Sequence, residues 1–313
     1  MRIFLTGGTG SLGQAILKRA EARGWDDEFT VYSRDEVKQA QVKARFPSAR
    51  YVLGDVRDER ALAMAMRKHD IVIHAAANKQ VPAAEVNPME AVETNVLGSR
   101  NLVRVAVSLG IGRVVGISTD KSVGAYNCYG HTKALMEKMF SQGCLLGETQ
   151  FVCVRYGNVL GSRGSIVPLF RKQMLNGGSI TITDPTMTRF WLTLGQAVDL
   201  VEMGMREPEC GVVIVPKAAA STMETLAFAV APRCGIEIIG TRPGEKQHES
   251  LIHPGEAMHT EDMGEYFKVW PAYTEHRGNL PAGYEYTSEK ARQLTTGELR
   301  EMVQQSETEG GEQ

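Results

Sequence analysis

Arg2-Ile3-Phe4-Leu5-Thr6, then Gly7-Gly8-Thr9-Gly10-Ser11-Leu12-Gly13, then Gln14-Ala15-Ile16-Leu17-Lys18-Arg19-Ala20: the reading of these nineteen residues decides the fold. The first run is short and apolar, as in a buried parallel strand. The third has the apolar spacing of a helix. Strand, glycine turn and helix in that order are the context a dinucleotide fingerprint requires. Glycines permit a tight turn and a close backbone approach to a pyrophosphate, which then rests on a helix N-terminus. The spacing here is Gly7-x-x-Gly10-x-x-Gly13. We therefore read Gly7, Thr9, Gly10, Ser11, Leu12 and Gly13 as cofactor-binding.

Outward from this turn the pattern repeats. Strands are predicted at 29–32, 51–53, 71–74, 113–117 and 150–154, alternating with helical segments up to about residue 155. That alternation argues a doubly wound parallel α/β sheet of the Rossmann type. Residues 1–156 are assigned to this nucleotide-binding domain. Residues 157–305 are assigned to a smaller substrate lobe interleaved with the last core elements, because glycines and prolines increase there. Thr295 with Glu298 fits a capping box at the start of a last helix. Ser306 to Gln313 is acidic and glycine-bearing and reads as disordered.

The second strand ends in Ser33-Arg34-Asp35-Glu36-Val37-Lys38. A hydroxyl and two cations, Ser33, Arg34 and Lys38, suit a ribose 2′-phosphate and point to NADP. Asp35 keeps NAD as the alternative, since a carboxylate at this strand end would hold a 2′-OH. Asp55 and Val56, after the third strand, are placed near the adenine. Ala75, Ala76 and Ala77, after the fourth, are small enough for backbone to approach the cofactor.

The chemistry is concentrated in Ser118-Thr119-Asp120-Lys121 and Tyr129-Gly130-His131-Thr132-Lys133. A Tyr and a Lys four apart share a helix face. The Lys133 ammonium is expected to lower the pKa of the Tyr129 phenol and make it a base. Thr119, Asp120 and Lys121 exceed the needs of a simple dehydrogenase, so a second proton-moving step is expected. His131 is expected to point away from the Tyr129/Lys133 face.

Composition narrows the alternatives. Apolar residues make up 42% and charged residues 23%, with a net charge of −2. Nothing here favours nucleic acid or a membrane as partner. The cysteines, at 128, 144, 153, 210 and 234, are odd in number and contain no C-x-x-C pair. Disulfides and a metal site are therefore not expected, and a reducing cytoplasm is. No signal peptide is expected, because a core strand begins at once.

These motifs, together with Lys79-Gln80-Val81-Pro82-Ala83-Ala84-Glu85, Thr94-Asn95-Val96-Leu97-Gly98, Arg155-Tyr156-Gly157-Asn158-Val159-Leu160-Gly161-Ser162-Arg163, Met187-Thr188-Arg189-Phe190-Trp191 and Arg242-Pro243-Gly244-Glu245-Lys246, occur in a specific order. In that order the chain resembles extended short-chain dehydrogenases/reductases. Among them it is most similar to the inverting UDP-N-acetylglucosamine 4,6-dehydratases. The resemblance spans about residues 1–300. It implies a lyase with tightly bound NADP that converts UDP-GlcNAc to a UDP-4-keto-6-deoxy sugar with inversion at C5. Tyr129, with Lys133, takes the O4 proton; Lys121 is the C5 base and Asp120 the proton donor, with Thr119 beside them. It further implies Asn95, Val159 and Arg163 at the cofactor, and Lys79, Asn158, Thr183, Arg189, Arg242 and Glu245 at the UDP-sugar. A homo-oligomer, hexamer or dimer, is implied as well. The family's usual Asn-Pro before the Tyr is absent, and Ser122 to Cys128 keeps the length without the proline. A nucleotide-sugar epimerase and a non-catalytic dinucleotide-binding regulator remain the alternatives on the same fold.

Overall fold

The computed structural model describes residues 1–276 and 278–310. Six parallel strands, β1 (Arg2–Thr6), β2 (Glu28–Ser33), β3 (Arg50–Leu53), β4 (Ile71–His74), β5 (Arg113–Ile117) and β6 (Gln150–Val154), lie in the order 3-2-1-4-5-6. This is the doubly wound arrangement, whose ligand crevice opens beyond the carboxyl ends of the strands where the order reverses, between β1 and β4. The apolar runs explain the strands directly. Ile3, Phe4 and Leu5 are wholly buried, as are Val72, Ile73, Val114 and Val115.

Three more strands extend the same sheet beyond β6. Val213–Pro216 continues it in parallel, and Tyr266–Val269 and Thr260–Asp262 follow antiparallel. The chain thus leaves the sheet after β6, builds much of a second lobe, and returns to the sheet. The second lobe has its own apolar core, in which Phe170, Trp191 and Leu226 pack with Leu299 and Val303 of the last helix.

That last helix, Thr296–Gly310, corrects the expectation of a disordered tail for residues 306–310; residues 311–313 lie outside the described residues. Its start carries the expected reciprocal cap between Thr295 and Glu298. Its end is tied down by the Lys18 ammonium, which donates to the carbonyls of Thr308 (3.1 Å) and Glu309 (2.9 Å), and by the Gly195 amide, which donates to Glu309 Oε2. A polar segment lacking core residues reads as disordered, yet here distant partners hold it.

A second correction concerns the cysteines. Cys144 and Cys210 form a disulfide; Cys128, Cys153 and Cys234 are free. The two partners are 66 residues apart and meet only because β6 brings the end of helix Cys128–Gly143 beside the approach to strand Val213–Pro216. Spacing in the sequence carries no trace of that meeting.

Candidate active site

The glycine turn forms as its residues require. Gly7 adopts φ +67, and a Cβ there would stand 2.7 Å from the Ala76 amide nitrogen. Only glycine serves both demands, a left-handed backbone and the abutting β4 loop. A Cβ on Gly13 would meet Gly8 at 2.4 Å, which brings helix Ser11–Ala22 hard against the strand end. Gly10, the N-cap of that helix, supplies no side-chain cap, so first-turn amides are free to face an anion. The Arg163 backbone amide donates to Ser11 Oγ (3.0 Å), and its guanidinium donates to the Thr9 carbonyl. The segment Gly161–Gly164 therefore closes over the glycine turn from the far side.

Together these elements enclose a cleft of about 690 Å³. Its lining includes Gly7 and Thr9 to Gly13, then Ser33, Arg34, Lys38, Asp55, Val56 and Ala75 to Ala77. Farther along lie Lys79, Thr119, Lys121, Tyr129, Lys133, Asn158, Val159 and Arg163. The left-handed turn that Gly7 permits and the free helix terminus fit a dinucleotide pyrophosphate. At the ribose end, Lys38 Nζ pairs with Asp35 (2.9 Å), while Arg34 lies 3.7 Å from Asp55 and is mostly exposed. Asp55 is held mainly by Arg57, through Nη2 at 2.8 Å and Nε at 3.0 Å.

Asn95 does not line the cleft. It sits in the single π-helical turn among the described residues, Val92–Leu97, buried beneath the cleft. Its carboxamide takes the Asn78 amide (2.8 Å) and donates to the Asn78 carbonyl (2.9 Å) and to Thr132 Oγ1 (2.9 Å). Thr132 in turn donates to the Tyr129 carbonyl (2.8 Å). Asn95 thus joins the Lys79 loop to the Tyr129 helix. Thr183, Arg189, Arg242 and Glu245 are not brought into the cleft either. Arg189 is buried, donating to the carbonyls of Thr188 (2.8 Å) and Gln247 (3.2 Å), and Arg242 and Glu245 form an outer turn.

The reactive groups converge where β5 ends. Thr119 caps a single 3-10 turn, Asp120–Ser122, and its hydroxyl donates to Asp120 Oδ1 (3.0 Å). Helix Cys128–Gly143 starts beside that turn. A Cβ on Gly130 would stand 2.1 Å from the Lys121 carbonyl, so the contact demands glycine. Asn127 caps the helix through the Gly130 amide (2.8 Å) and reaches the Gly244 carbonyl (2.8 Å). The proline-free linker is pinned from the same side, as Lys246 Nζ donates to the Val123 carbonyl (2.7 Å). His131 is exposed, away from Tyr129 and Lys133.

Asp120 is fully buried. Lys121 Nζ lies 3.1 Å from its Oδ1, while Oδ2 has no partner. Burial raises the Asp120 pKa; Lys121 opposes and Glu249 reinforces the rise. Burial works against the Lys121 charge, but Asp120 and Glu249 outweigh it and leave the ammonium favoured. The Tyr129 phenol is pushed up to about 12, chiefly by burial. The cation that works to lower it is Lys121. This corrects the role expected of Lys133. Its Nζ rests 2.9 Å from Met136 Sδ, and burial brings its pKa down to about 8.

Several residues around the site were assigned no role from the sequence. Arg155, buried at the end of β6, donates to Glu137 (2.6 and 3.0 Å), to Glu256 (2.9 Å at each oxygen) and to the Leu251 carbonyl (3.0 Å). Glu137 also accepts from the hydroxyls of Ser118 and Ser122 (3.0 Å), which flank Thr119 to Lys121. Glu249, from the second lobe, is a second carboxylate 3.1 Å from Lys121 Nζ. Glu137, Glu249 and Glu256 stood in no motif, and Arg155 opened one without any role read for it. A buried Arg–Glu staple is recognisable only once the sheet has placed its partners. No metal-binding cluster exists among the described residues, and no helix there is long and apolar enough to cross a membrane.

A doubly wound sheet with a Tyr-x-x-x-Lys helix at its carboxyl edge defines a short-chain dehydrogenase/reductase. A family model described as polysaccharide biosynthesis protein matches residues 3–271, and the chain belongs to that family. It is 40% identical, over 86% of its length and 83% of the relative's, to a UDP-N-acetylglucosamine 4,6-dehydratase (inverting) of Campylobacter jejuni. It is 38% identical, over 96% and 94%, to a UDP-glucose 4-epimerase of Rickettsia akari. Among solved structures, Pen from Bacillus thuringiensis superposes with a TM-score of 0.91 at 30% identity, covering 97% of both chains. DesIV of Streptomyces venezuelae, a dTDP-glucose 4,6-dehydratase solved with NAD and TYD bound, gives 0.72 at 23% identity over 79% of this chain and 87% of its own, and speaks for the fold alone. The resemblance read from the motifs to the inverting dehydratases is borne out.

Proposed function

We propose that the protein is a nucleotide-sugar 4,6-dehydratase that removes water from UDP-GlcNAc and inverts C5. The single observation that carries this reading is Lys121 standing in the cleft beside Tyr129 with the buried Asp120 against it. A 4-epimerase needs a base at O4 and a cofactor; a charged acid–base pair there is surplus to it.

A nicotinamide dinucleotide, when bound, accepts hydride from C4 and returns it to C6. We assign its 2′-phosphate to Ser33, Arg34 and Lys38, hence NADP, because two cations reach that end of the cleft. Tyr129 takes the O4 proton, with the Lys121 charge and the Thr119 hydroxyl favouring the phenolate. A carbonyl at C4 acidifies the C5 hydrogen. Lys121 removes that proton, which requires the ammonium first to pass a proton to a neighbouring carboxylate. Asp120, whose burial favours the protonated carboxyl, donates to the departing C6 hydroxyl. Lys79 and Asn158 hold the sugar. Thr183, Arg189, Arg242 and Glu245 we assign to UDP, and reaching it requires the outer turn at 242–245 to move toward the cleft. Lys133 positions the cofactor ribose, and Asn95 acts through the loop and helix it joins.

The experiment is mass spectrometry of UDP-GlcNAc incubated with the purified protein, first with no cofactor added and then with NADP+. Loss of one water supports the dehydratase, and activity without added cofactor supports tight retention. The second reading, a 4-epimerase, is favoured by the name of the Rickettsia relative. It requires an unchanged mass with a changed retention time.

A further inference from the structure

Glu249 stands outside every motif, yet it is the only residue of the second lobe among the described residues that forms an ion pair with Lys121. It is 2% exposed. Oε1 lies 3.1 Å from Lys121 Nζ, the same distance as Asp120 Oδ1 on the other side, and Oε2 has no protein partner. Two carboxylates therefore share one ammonium, and each keeps one buried oxygen unsatisfied. A buried polar atom without a partner is costly unless it is used.

The position of Glu249 is fixed from three segments of the second lobe. Its amide donates to Ser288 Oγ (2.9 Å), the Ser288 amide donates to the Glu249 carbonyl (2.8 Å), and Ser288 Oγ also meets Thr188 Oγ1 (2.7 Å). The strand that follows, Ser250–Ile252, pairs with Tyr286–Thr287. The carboxylate is thus aimed from a rigid support.

We propose that Glu249 is a positioning residue for the elimination step: its buried carboxylate holds the Lys121 ammonium opposite Asp120 and loads the Asp120–Lys121 pair with the proton it works with. This rests on the dehydratase reading. The charge arithmetic gives the reason. Asp120 and Lys121 alone neutralise each other and carry no proton to spare. A second carboxylate beside the pair raises the proton affinity of both its members, so Asp120 is held protonated beside the Lys121 ammonium. That produces the acid the departing hydroxyl needs, and the proton Lys121 gives up to act as base passes to the Glu249 carboxylate 3.1 Å away. The other groups facing this cluster are Arg189 and Lys246, whose charges favour the Glu249 carboxylate, and the Tyr129 phenol, on which Lys121 and Asp120 act in opposite senses. Arg189 and Lys246 keep Glu249, rather than Asp120, as the ionised member.

The test compares wild type, Glu249→Gln and Glu249→Asp as full chains. One readout is the pH–rate profile of UDP-GlcNAc dehydration. The other, independent of turnover, is the NMR titration of ¹³C-labelled lysine, with the Lys121 resonance identified by its loss in Lys121→Met. Glu249→Gln is isosteric and removes only charge. The negative charge raises the pKa of both partners, so its loss moves both limbs of the profile, and the Lys121 titration, to lower pH by about one unit. Turnover falls by about 10²-fold with KM little changed. Glu249→Asp, which keeps the charge, restores the limbs to the wild-type pH. Unmoved limbs and an unmoved Lys121 titration in a folded Glu249→Gln protein overturn the proposal, as does a loss confined to KM. If wild type turns over no sugar while the Lys121 titration still shifts, the pairing stands and the dehydratase reading is the one that falls.

Discussion

The wall of the cleft at the glycine turn and the charge network behind the turn at Asp120–Ser122 are built by opposite strategies. The wall at the glycine turn is local: Gly7 to Gly13, the end of β1 and the first turn of one helix lie within fifteen residues of each other. The charge network behind the Asp120–Ser122 turn is assembled from afar. Glu249, Leu251 and Glu256 reach Lys121 and Arg155 across roughly a hundred residues of chain. A cradle for phosphate is a backbone conformation, so a short stretch encodes it. An arrangement of charges that sets proton positions needs burial and counter-ions, and those come from wherever the fold folds back.

The sharpest way to break this contrast is at the pair itself. Lys121→Met is expected to lower dehydration by about 10³-fold or more while C4 oxidation, read as reduction of bound cofactor by absorbance, is slowed far less, by the loss of the charge that favours the Tyr129 phenolate. If oxidation is lost equally, Lys121 serves Tyr129 rather than the elimination. Next in size is the staple. Arg155→Met leaves the buried Glu137 and the partly exposed Glu256 without their partner, and about 3–5 kcal/mol of stability is expected to go. Denaturant unfolding measures it, and a loss under about 1 kcal/mol would mean that water replaces the guanidinium without difficulty.

Smaller is the cost of Gly130→Ala, whose methyl meets the Lys121 carbonyl and must push helix and turn apart, by about 1–3 kcal/mol. Activity should fall by more than stability explains, because the shift separates Tyr129 from Lys121. Equal losses would make the contact one of packing alone. The smallest effect is expected on the local wall. Arg34→Ala with Lys38→Ala should weaken NADP by about tenfold for each cation and leave NAD nearly unchanged, measured by calorimetry. An equal loss for both cofactors would show that these cations do not read the 2′-phosphate.

The strands, the turn and the Tyr-x-x-x-Lys helix were legible because each rests on a periodicity or a glycine requirement within a few residues. The state of the Tyr129 phenol was not. From spacing, Lys133 is the natural cation to lower it; in the fold burial pushes the phenol up, the Lys133 side chain turns to Met136, and Lys121 is the cation that opposes the rise. Asn95 was recognisable as a motif residue, but its task, joining Asn78 to Thr132, depends on helix packing. The Cys144–Cys210 bond and the docked end of the last helix were misread for one reason. Composition describes a segment by itself, whereas these segments are held by partners elsewhere.

By itself the sequence determined a doubly wound sheet, a glycine turn at residue 7, and the presence of Asp120, Lys121 and Tyr129 at one edge of that sheet. Those properties follow from steric rules that act along the chain. The tertiary structure alone decided which charges are buried together, that Glu249 completes the Lys121 site, and that Arg155 joins the lobes. Electrostatic energies depend on distance and burial, and neither exists until the chain has closed on itself.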